Sequence, residues 1–122
     1  MMPIDVGQKA EISRAYSCDD VAAYIALGGH GPETDAVPAP LINSMFSYLL
    51  GVRLPGQGTN YLKQESDFFE TAKVGEMLTA SVEVTRLRPE KHLADLRTRC
   101  VGEHGRLISE GRALVYIEDV EN

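Results

Sequence analysis

Between Pro40 and Val52 the chain sets Leu41, Ile42, Met45, Phe46, Leu49 and Leu50 at spacings of three and four, interrupted by the polar residues Asn43, Ser44 and Ser47. A helix built this way is apolar over most of its circumference, so it has to be enclosed by the fold rather than laid on its surface. Proline suits the first turn of a helix beginning near Pro40, because its missing N–H would have had no partner there. At 122 residues the chain has the length of one domain, so residues 1–122 are expected to form a single unit in which the other segments cover this rod.

Those other segments alternate. After Leu54-Pro55-Gly56-Gln57-Gly58, residues 60–70 carry Leu62, Gln64, Ser66 and Phe68 on one face, with Tyr61, Lys63, Glu65, Asp67 and Phe69 on the other. Residues 76–87 set Leu78, Ala80, Val82 and Val84 against Thr79, Ser81, Glu83 and Thr85. Residues 92–101 set Ala94, Leu96, Thr98 and Cys100 against Asp95, Arg97 and Arg99. Residues 107–117 set Leu107, Ser109, Gly111, Ala113, Val115 and Ile117 against Glu110, Arg112 and Tyr116. A period of two with one apolar face predicts half-buried antiparallel strands. Before the rod, Gln8 to Tyr16 alternates as a further strand, and Asp19-Asp20 opens a short helix that Gly28-Gly29 ends. Residues 28–38, with their glycines and prolines, are loop. One buried helix followed by a meander predicts an α+β hotdog fold, an antiparallel sheet wrapped around a long central helix. Gly111 and Ala113 on the inward face would let that helix approach closely.

Composition excludes several classes of function. Hydrophobic residues make up 43% and charged residues 25%, the profile of a globular domain. No apolar run approaches the roughly 18 residues a membrane span needs. The opening Met-Met-Pro-Ile-Asp-Val has neither a basic nor an apolar leader region, so a cytoplasmic location is expected. The formal charge is −6, and Arg97 with Arg99 shares a strand face with Asp95, which argues against nucleic acid as a partner. Cys18 and Cys100 lack metal-ligand spacing and are expected to be reduced, partly buried thiols.

The middle of the chain resembles a known family. Gly-Val-Arg-Leu-Pro-Gly-Gln-Gly-Thr-Asn-Tyr-Leu-Lys-Gln (51–64), followed by Phe68 and Val-Gly-Glu (74–76), is similar to the MaoC-like (R)-specific enoyl-CoA hydratases. These have a Leu-Pro-Gly-x-Gly loop, a Tyr-Leu-x-Gln strand, then Phe and Val-Gly-Asp or Glu. Val-Gly-Gln-Lys-Ala (6–10) and Phe-Ser-Tyr-Leu-Leu-Gly (46–51) extend the likeness over nearly the whole chain. The resemblance implies a homodimer that binds an acyl thioester, carried on coenzyme A or an acyl carrier, beside the central helix. An Asp and a His from an Asp-x-Asn-Pro-x-His loop activate water there, a backbone N–H holds the thioester oxygen, and neither metal nor redox cofactor is needed.

The loop itself departs from the family. It reads His30-Gly31-Pro32-Glu33-Thr34-Asp35, and Val37-Pro38-Ala39-Pro40 stands where the family has Val-His-Gly-Met. His30 and Asp35 keep the family's separation in reversed order, and Glu33 is an alternative carboxylate. An imidazole and a carboxylate converging on one water are the minimum kit for moving its proton. The bland alternative is that they are solvated loop residues. Ala39 retains a backbone N–H for a thioester oxygen, whereas Pro38 and Pro40 have none. Ser47 matches the family's helix serine and either touches substrate or bonds back to the preceding turn. Asn43 and Tyr61 complete the candidate substrate contacts, although Tyr61, Phe68 and Phe69 fit core positions too. Arg97, Arg99 and Arg112 either reach a coenzyme A phosphate or, as outward strand arginines mostly do, stand solvated, and His92 and His104 read as exposed joint residues. The expected activity is hydration of enoyl thioesters or the reverse dehydration. A thioesterase and a catalytically silent acyl-binding domain remain as alternatives.

Overall fold

The computed structural model describes residues 4–28, 36–56 and 59–117. Five strands, β1 (Lys9–Ala15), β2 (Thr59–Phe68), β3 (Met77–Arg88), β4 (Leu93–Val101) and β5 (Leu107–Ile117), form one antiparallel sheet in the order β1-β3-β4-β5-β2. Helix α1 (Cys18–Ala26) follows β1, and helix α2 (Ala39–Tyr48) runs directly into a π-helical turn, Leu49–Arg53. That turn touches β1, β3 and β2. Since β1 and β2 are opposite margins of the sheet, one helical element reaches both only if the sheet curls around it. This is the hotdog arrangement that the apolar rod and the alternating strands called for.

The interior is the rod against three strands. Ile42, Met45, Phe46, Leu49 and Leu50 are buried, facing Leu78, Ala80, Val82 and Val84 of β3, Ala94, Leu96, Thr98 and Cys100 of β4, and Ala113, Val115 and Ile117 of β5. Each such Val, Leu, Ile, Met or Phe side chain contributes roughly 1.5–3 kcal/mol when fully removed from water. Tyr16, at the end of β1, is buried as well, and its hydroxyl donates to the Leu41 carbonyl at 2.6 Å, which ties the sheet margin to the helix start. Helix α1 begins with a reciprocal capping box: Asp20 N–H donates to Ser17 Oγ, and Ser17 N–H donates to the Asp20 carboxylate. None of its residues is buried, so it lies on the outside of the domain.

Several sequence expectations are corrected. The rod is buried along one side only, because Ser44, Ser47, Tyr48 and Val52 are exposed. Gly111 makes room for a strand rather than for the helix: a Cβ there would collide with the Glu65 carbonyl of β2. Tyr61, Phe68 and Phe69 are not core residues but 37%, 41% and 58% exposed, since β2 is the sheet's outermost strand on that side. Asp95 is buried and accepts from Arg88 and Arg112. His92 is half-buried, with Nδ1 3.1 Å from the Ile117 carbonyl oxygen and its ring stacked on Tyr116. His104 is exposed as expected.

The Val-Gly-Glu segment has a structural purpose. Glu76 is buried, and its carboxylate accepts from Lys73 N–H (3.0 Å), Glu103 N–H (2.9 Å) and Arg106 Nη2 on both oxygens, clasping the β2–β3 turn to the β4–β5 turn. A side chain at Gly102 would run into this carboxylate. Burial opposes the charge, but the backbone donors and Arg106 outweigh it and hold the carboxyl at about 2, below its usual 4.5. The clasp therefore stabilises fully above about pH 4.5, and its contribution is lost as pH falls toward 2. Glu76→Gln is expected to lower unfolding stability by roughly 2–4 kcal/mol at pH 7. It should also flatten the acid limb of a stability–pH curve; equal curves for the two proteins would contradict the clasp.

Candidate active site

A cleft of about 470 Å³ opens at the start of α2, walled by Ala36, Val37, Pro38, Ala39, Pro40 and Ile42 on one side and by Phe68, Glu70, Thr71 and Ala72 on the other. The two walls are held by backbone pairing: Val37 N–H donates to the Ala72 carbonyl at 2.8 Å, and Ala36 bridges to Lys73. The proline-rich sequence leaves the helix start short of donors. Pro38, at the N-cap, and Pro40 carry no N–H, and Leu41 N–H is turned back to the Pro38 carbonyl at 3.0 Å. Ala39 N–H has no acceptor within the helix, as for any first-turn amide, and it points to the positive end of the helix dipole. The Ala39 backbone N–H is thus left outside the helix's own bonding at the cleft.

Beyond the cleft, Ala39, Asn43 and Ser47 follow at four-residue steps, so they share one stripe of the helix. Asn43 is half-buried, while Ala39 and Ser47 are exposed on this stripe. Facing the stripe is β2, which alternation alone placed wrongly at Tyr61. Tyr61 pairs with Val115 and Lys63 with Leu114, so Leu62 is an extra, bulged residue. Because Val115 and Ala113 point inward, their partners Tyr61 and Gln64 also lie on the helix side, not on opposite faces. The result is a polar cluster that period two conceals. Tyr61 donates its hydroxyl to Gln64 Oε1 (2.5 Å), Gln64 Nε2 donates to Asn43 Oδ1 (3.2 Å) and Ser66 Oγ (3.2 Å), and Ser66 Oγ donates to Asn43 Oδ1 (3.5 Å). Partial burial pushes the Tyr61 phenol up to about 12, so it stays protonated and a donor at neutral pH.

Of the sequence candidates, Ala39, Asn43 and Tyr61 therefore gather between α2 and β2, with Ser47 one turn further along the same stripe. His30, Glu33 and Asp35 lie outside the described residues. Phe68 lines the cleft, and Gln64 and Ser66 join Asn43 beside it, three residues not singled out as substrate contacts; alternation put them on one face but left Tyr61 off it, because the bulge leaves no mark in the pattern of residue types. Arg97, Arg99 and Arg112 sit on the opposite face of the sheet, Arg99 on Glu110 and Arg112 on Asp95, so they do not serve this cleft. Among the described residues, no three His, Cys, Asp or Glu side chains cluster as a metal site would, and no helix is long and apolar enough to cross a membrane.

The sequence is 39% identical over 128 residues to an (R)-specific enoyl-CoA hydratase of Aeromonas caviae, covering 93% of this chain and 96% of that one. It is 31% identical to a second (R)-specific enoyl-CoA hydratase, of Rhodospirillum rubrum, over 93% of this chain and 88% of the other. The solved structure of an (R)-hydratase from A. caviae matches with a TM-score of 0.88 at 38% identity, over 93% and 97% of the two chains. No family model matches the chain.

Neither cysteine supplies a nucleophile to the cleft. Burial, with the nearby Glu76 charge, pushes the Cys100 thiol up to about 12, and Cys100 points into the core. Cys18 is exposed on α1, not partly buried as expected, and both thiols are free. A disulfide dye should accordingly modify one thiol per folded chain quickly and the second only on unfolding. Cys18→Ser should remove the fast phase; fast labelling that persists in this variant would contradict the buried position of Cys100.

Proposed function

Because this chain belongs to the MaoC-like (R)-specific enoyl-CoA hydratase family, we propose that it adds water reversibly across the double bond of trans-2-enoyl thioesters to give (3R)-hydroxyacyl thioesters. The observation that carries the reading is the cleft at the start of α2, where Ala39 N–H stands outside the helix's own bonding. In hydration, the water oxygen bonds to the β-carbon and electron density moves onto the thioester oxygen. A proton then arrives at the α-carbon. A fixed backbone donor at the helix's positive end stabilises that oxygen as it becomes an enolate, and it does so without reorganising. The role belongs to the backbone, so replacing the family's His-Gly-Met by Pro38-Ala39-Pro40 retains it.

The proton transfers are assigned to His30 with a carboxylate, Asp35 or Glu33. Asp35 is one peptide bond from Ala36, which lines the cleft, and that supports placing the acid–base pair at its mouth. An imidazole beside a carboxylate titrates near neutrality and both removes and returns a proton. The overall reaction moves no electrons between molecules, so it calls for no redox cofactor, and the carbonyl is polarised here by Ala39 rather than by a metal. The acyl carrier is coenzyme A or an acyl carrier protein, and a cytoplasmic location suits either.

A homodimer completes the reading. β2 is a sheet margin whose outer edge carries Leu62 at 54% exposure beside the exposed Tyr61 and Phe68, and the adjoining end of the rod exposes Tyr48 and Val52. An apolar margin of this kind is a pairing hazard unless a second copy covers it, and the same cover would roof the cleft.

Two measurements test these statements. With crotonyl-CoA, the enoyl absorbance should fall on adding the protein, and His30→Ala should slow this by roughly 100-fold or more. Asp35→Asn and Glu33→Gln should differ, the larger loss identifying the carboxylate. No turnover of short, medium or aromatic enoyl thioesters would sink the hydratase reading, and release of free thiol instead would indicate thioester hydrolysis. Light scattering should give twice the chain mass of 13.4 kDa, whereas a stable monomer would remove the dimer.

A further inference from the structure

We propose that Glu70 is a catalytic residue of this chain: its carboxylate holds the attacking water across the cleft from Ala39 N–H and takes the proton that the water gives up. This rests on the hydratase reading, and it divides between two walls the proton transfers that His30 and its neighbouring carboxylate would otherwise make alone.

Among the described residues that wall the cleft, Glu70 carries the one ionisable side chain, and it stands on the wall opposite Ala39. Local structure fixes its place. As β2 ends, Phe69 N–H donates to the Ile108 carbonyl at 2.9 Å, and Glu70 N–H reaches the same oxygen at 3.5 Å. Two residues on, the Ala72 carbonyl accepts from Val37 N–H at 2.8 Å. The backbone of Glu70 is therefore anchored to β5 on one side and to the approach to α2 on the other. Its side chain is anchored too. Arg106 Nη1 donates to Glu70 Oε2 at 3.3 Å and to the Thr71 carbonyl at 3.4 Å, while Nη2 of the same guanidinium is held by the buried Glu76 carboxylate. An exposed pair of this kind adds little to stability, but it sets a direction. One oxygen of Glu70 is turned to Arg106, and Oε1 has no partner among the described residues. Because Glu70 is exposed, solvent water reaches that oxygen.

The chemistry asks for a base on that wall. An enoyl thioester is planar; its carbonyl oxygen lies in the plane, whereas water approaches the β-carbon from above or below it. The donor to the oxygen and the base for the water must come from different directions, and two facing walls provide them. As the water oxygen bonds to the β-carbon, one of its O–H bonds breaks and the proton passes to the Glu70 carboxylate. The π pair of the double bond moves toward the carbonyl carbon, and the carbonyl pair moves onto the oxygen at Ala39 N–H. His30, kept protonated by the carboxylate beside it, gives a proton to the α-carbon as the carbonyl re-forms. Glu70 then returns its proton to the imidazole through solvent, and no charge is left behind.

The test compares the unaltered protein with Glu70→Gln, which keeps an acceptor for Arg106 but has no basic oxygen, and with Glu70→Ala. With crotonyl-CoA, Glu70→Gln should lower kcat by roughly 100-fold while KM changes by less than about threefold and the melting temperature stays the same. A kcat within about threefold of the unaltered value would overturn the proposal. A second readout needs no turnover. 2,2-Difluoro-(3R)-hydroxybutyryl-CoA has no α-hydrogen and cannot lose water, and its hydroxyl stands where the added water would. Calorimetry should find it bound about tenfold more tightly than 2,2-difluorobutyryl-CoA by the unaltered protein, and no more tightly by Glu70→Ala. A hydroxyl that gains nothing, or gains equally in both proteins, would overturn the proposal. Hydroxyl-dependent binding that Glu70→Ala abolishes, in a protein that hydrates no enoyl thioester, would overturn the hydratase reading while upholding Glu70 as the group that holds the oxygen.

Discussion

The contact of one helical element with both margins of the same sheet is the constraint from which the rest follows. The turn Leu49–Arg53 touches β1 and β2, which have three strands between them in the sheet, while the preceding helix lies against β3. Apolar burial drives this, because Ile42, Met45, Phe46, Leu49 and Leu50 have no other way to leave water. Once the sheet has curled, the helix start is fixed in space by Tyr16 and by the Val37–Ala72 backbone bond. The cleft lies between those anchors and the segment after β2. The rigid part of the site is thus a by-product of core packing, not a separate construction.

Much of this was legible in the sequence, and for definite reasons. Leu78, Ala80, Val82 and Val84 alternate because β3 is paired on both sides and half-buried, and a residue's face there is dictated by its parity. The rod announced itself through the three-and-four spacing of its apolar residues. The same logic failed at β2, where Leu62 is inserted and parity changes beneath an unchanged pattern of residue types. It failed again at Gly111, since period and composition do not say whether a missing side chain clears space for a helix or for a neighbouring strand. The aromatic residues Phe68 and Phe69 misled in a third way. Their chemistry fits a core, but among the described residues no strand lies beyond the outermost one to bury them.

Charge is handled in the same economical manner. On the convex face the arginines largely find carboxylates within the sheet, Arg88 and Arg112 on the buried Asp95 and Arg99 on Glu110, and of these the exposed Arg99–Glu110 pair adds little to stability. Glu76 is different because it is buried and has four donor contacts, so it fastens two turns rather than decorating a surface. The Val-Gly-Glu signature that the family resemblance supplied is in this light a structural element. It holds the ends of β3 and β5 together at the same end of the sheet as the segment 70–72 that walls the cleft.

The bulge at Leu62 links two features of β2, one facing the helix and one on the sheet margin. One additional residue between Tyr61 and Lys63 turns Tyr61 toward the helix, where its hydroxyl fixes the Gln64 amide, and the amide in turn reaches Asn43. The residue that the bulge expels from the alternation is apolar and stands 54% exposed on the open margin. A regular strand would give up both features together: with parity restored, Tyr61 and Gln64 would point to opposite faces, and Leu62 would return to one face of the pleat. The hydrogen bonds from Tyr61 through Gln64 to Asn43 and the exposed apolar Leu62 therefore have a single structural cause, and a change in the register of β2 would alter both at once.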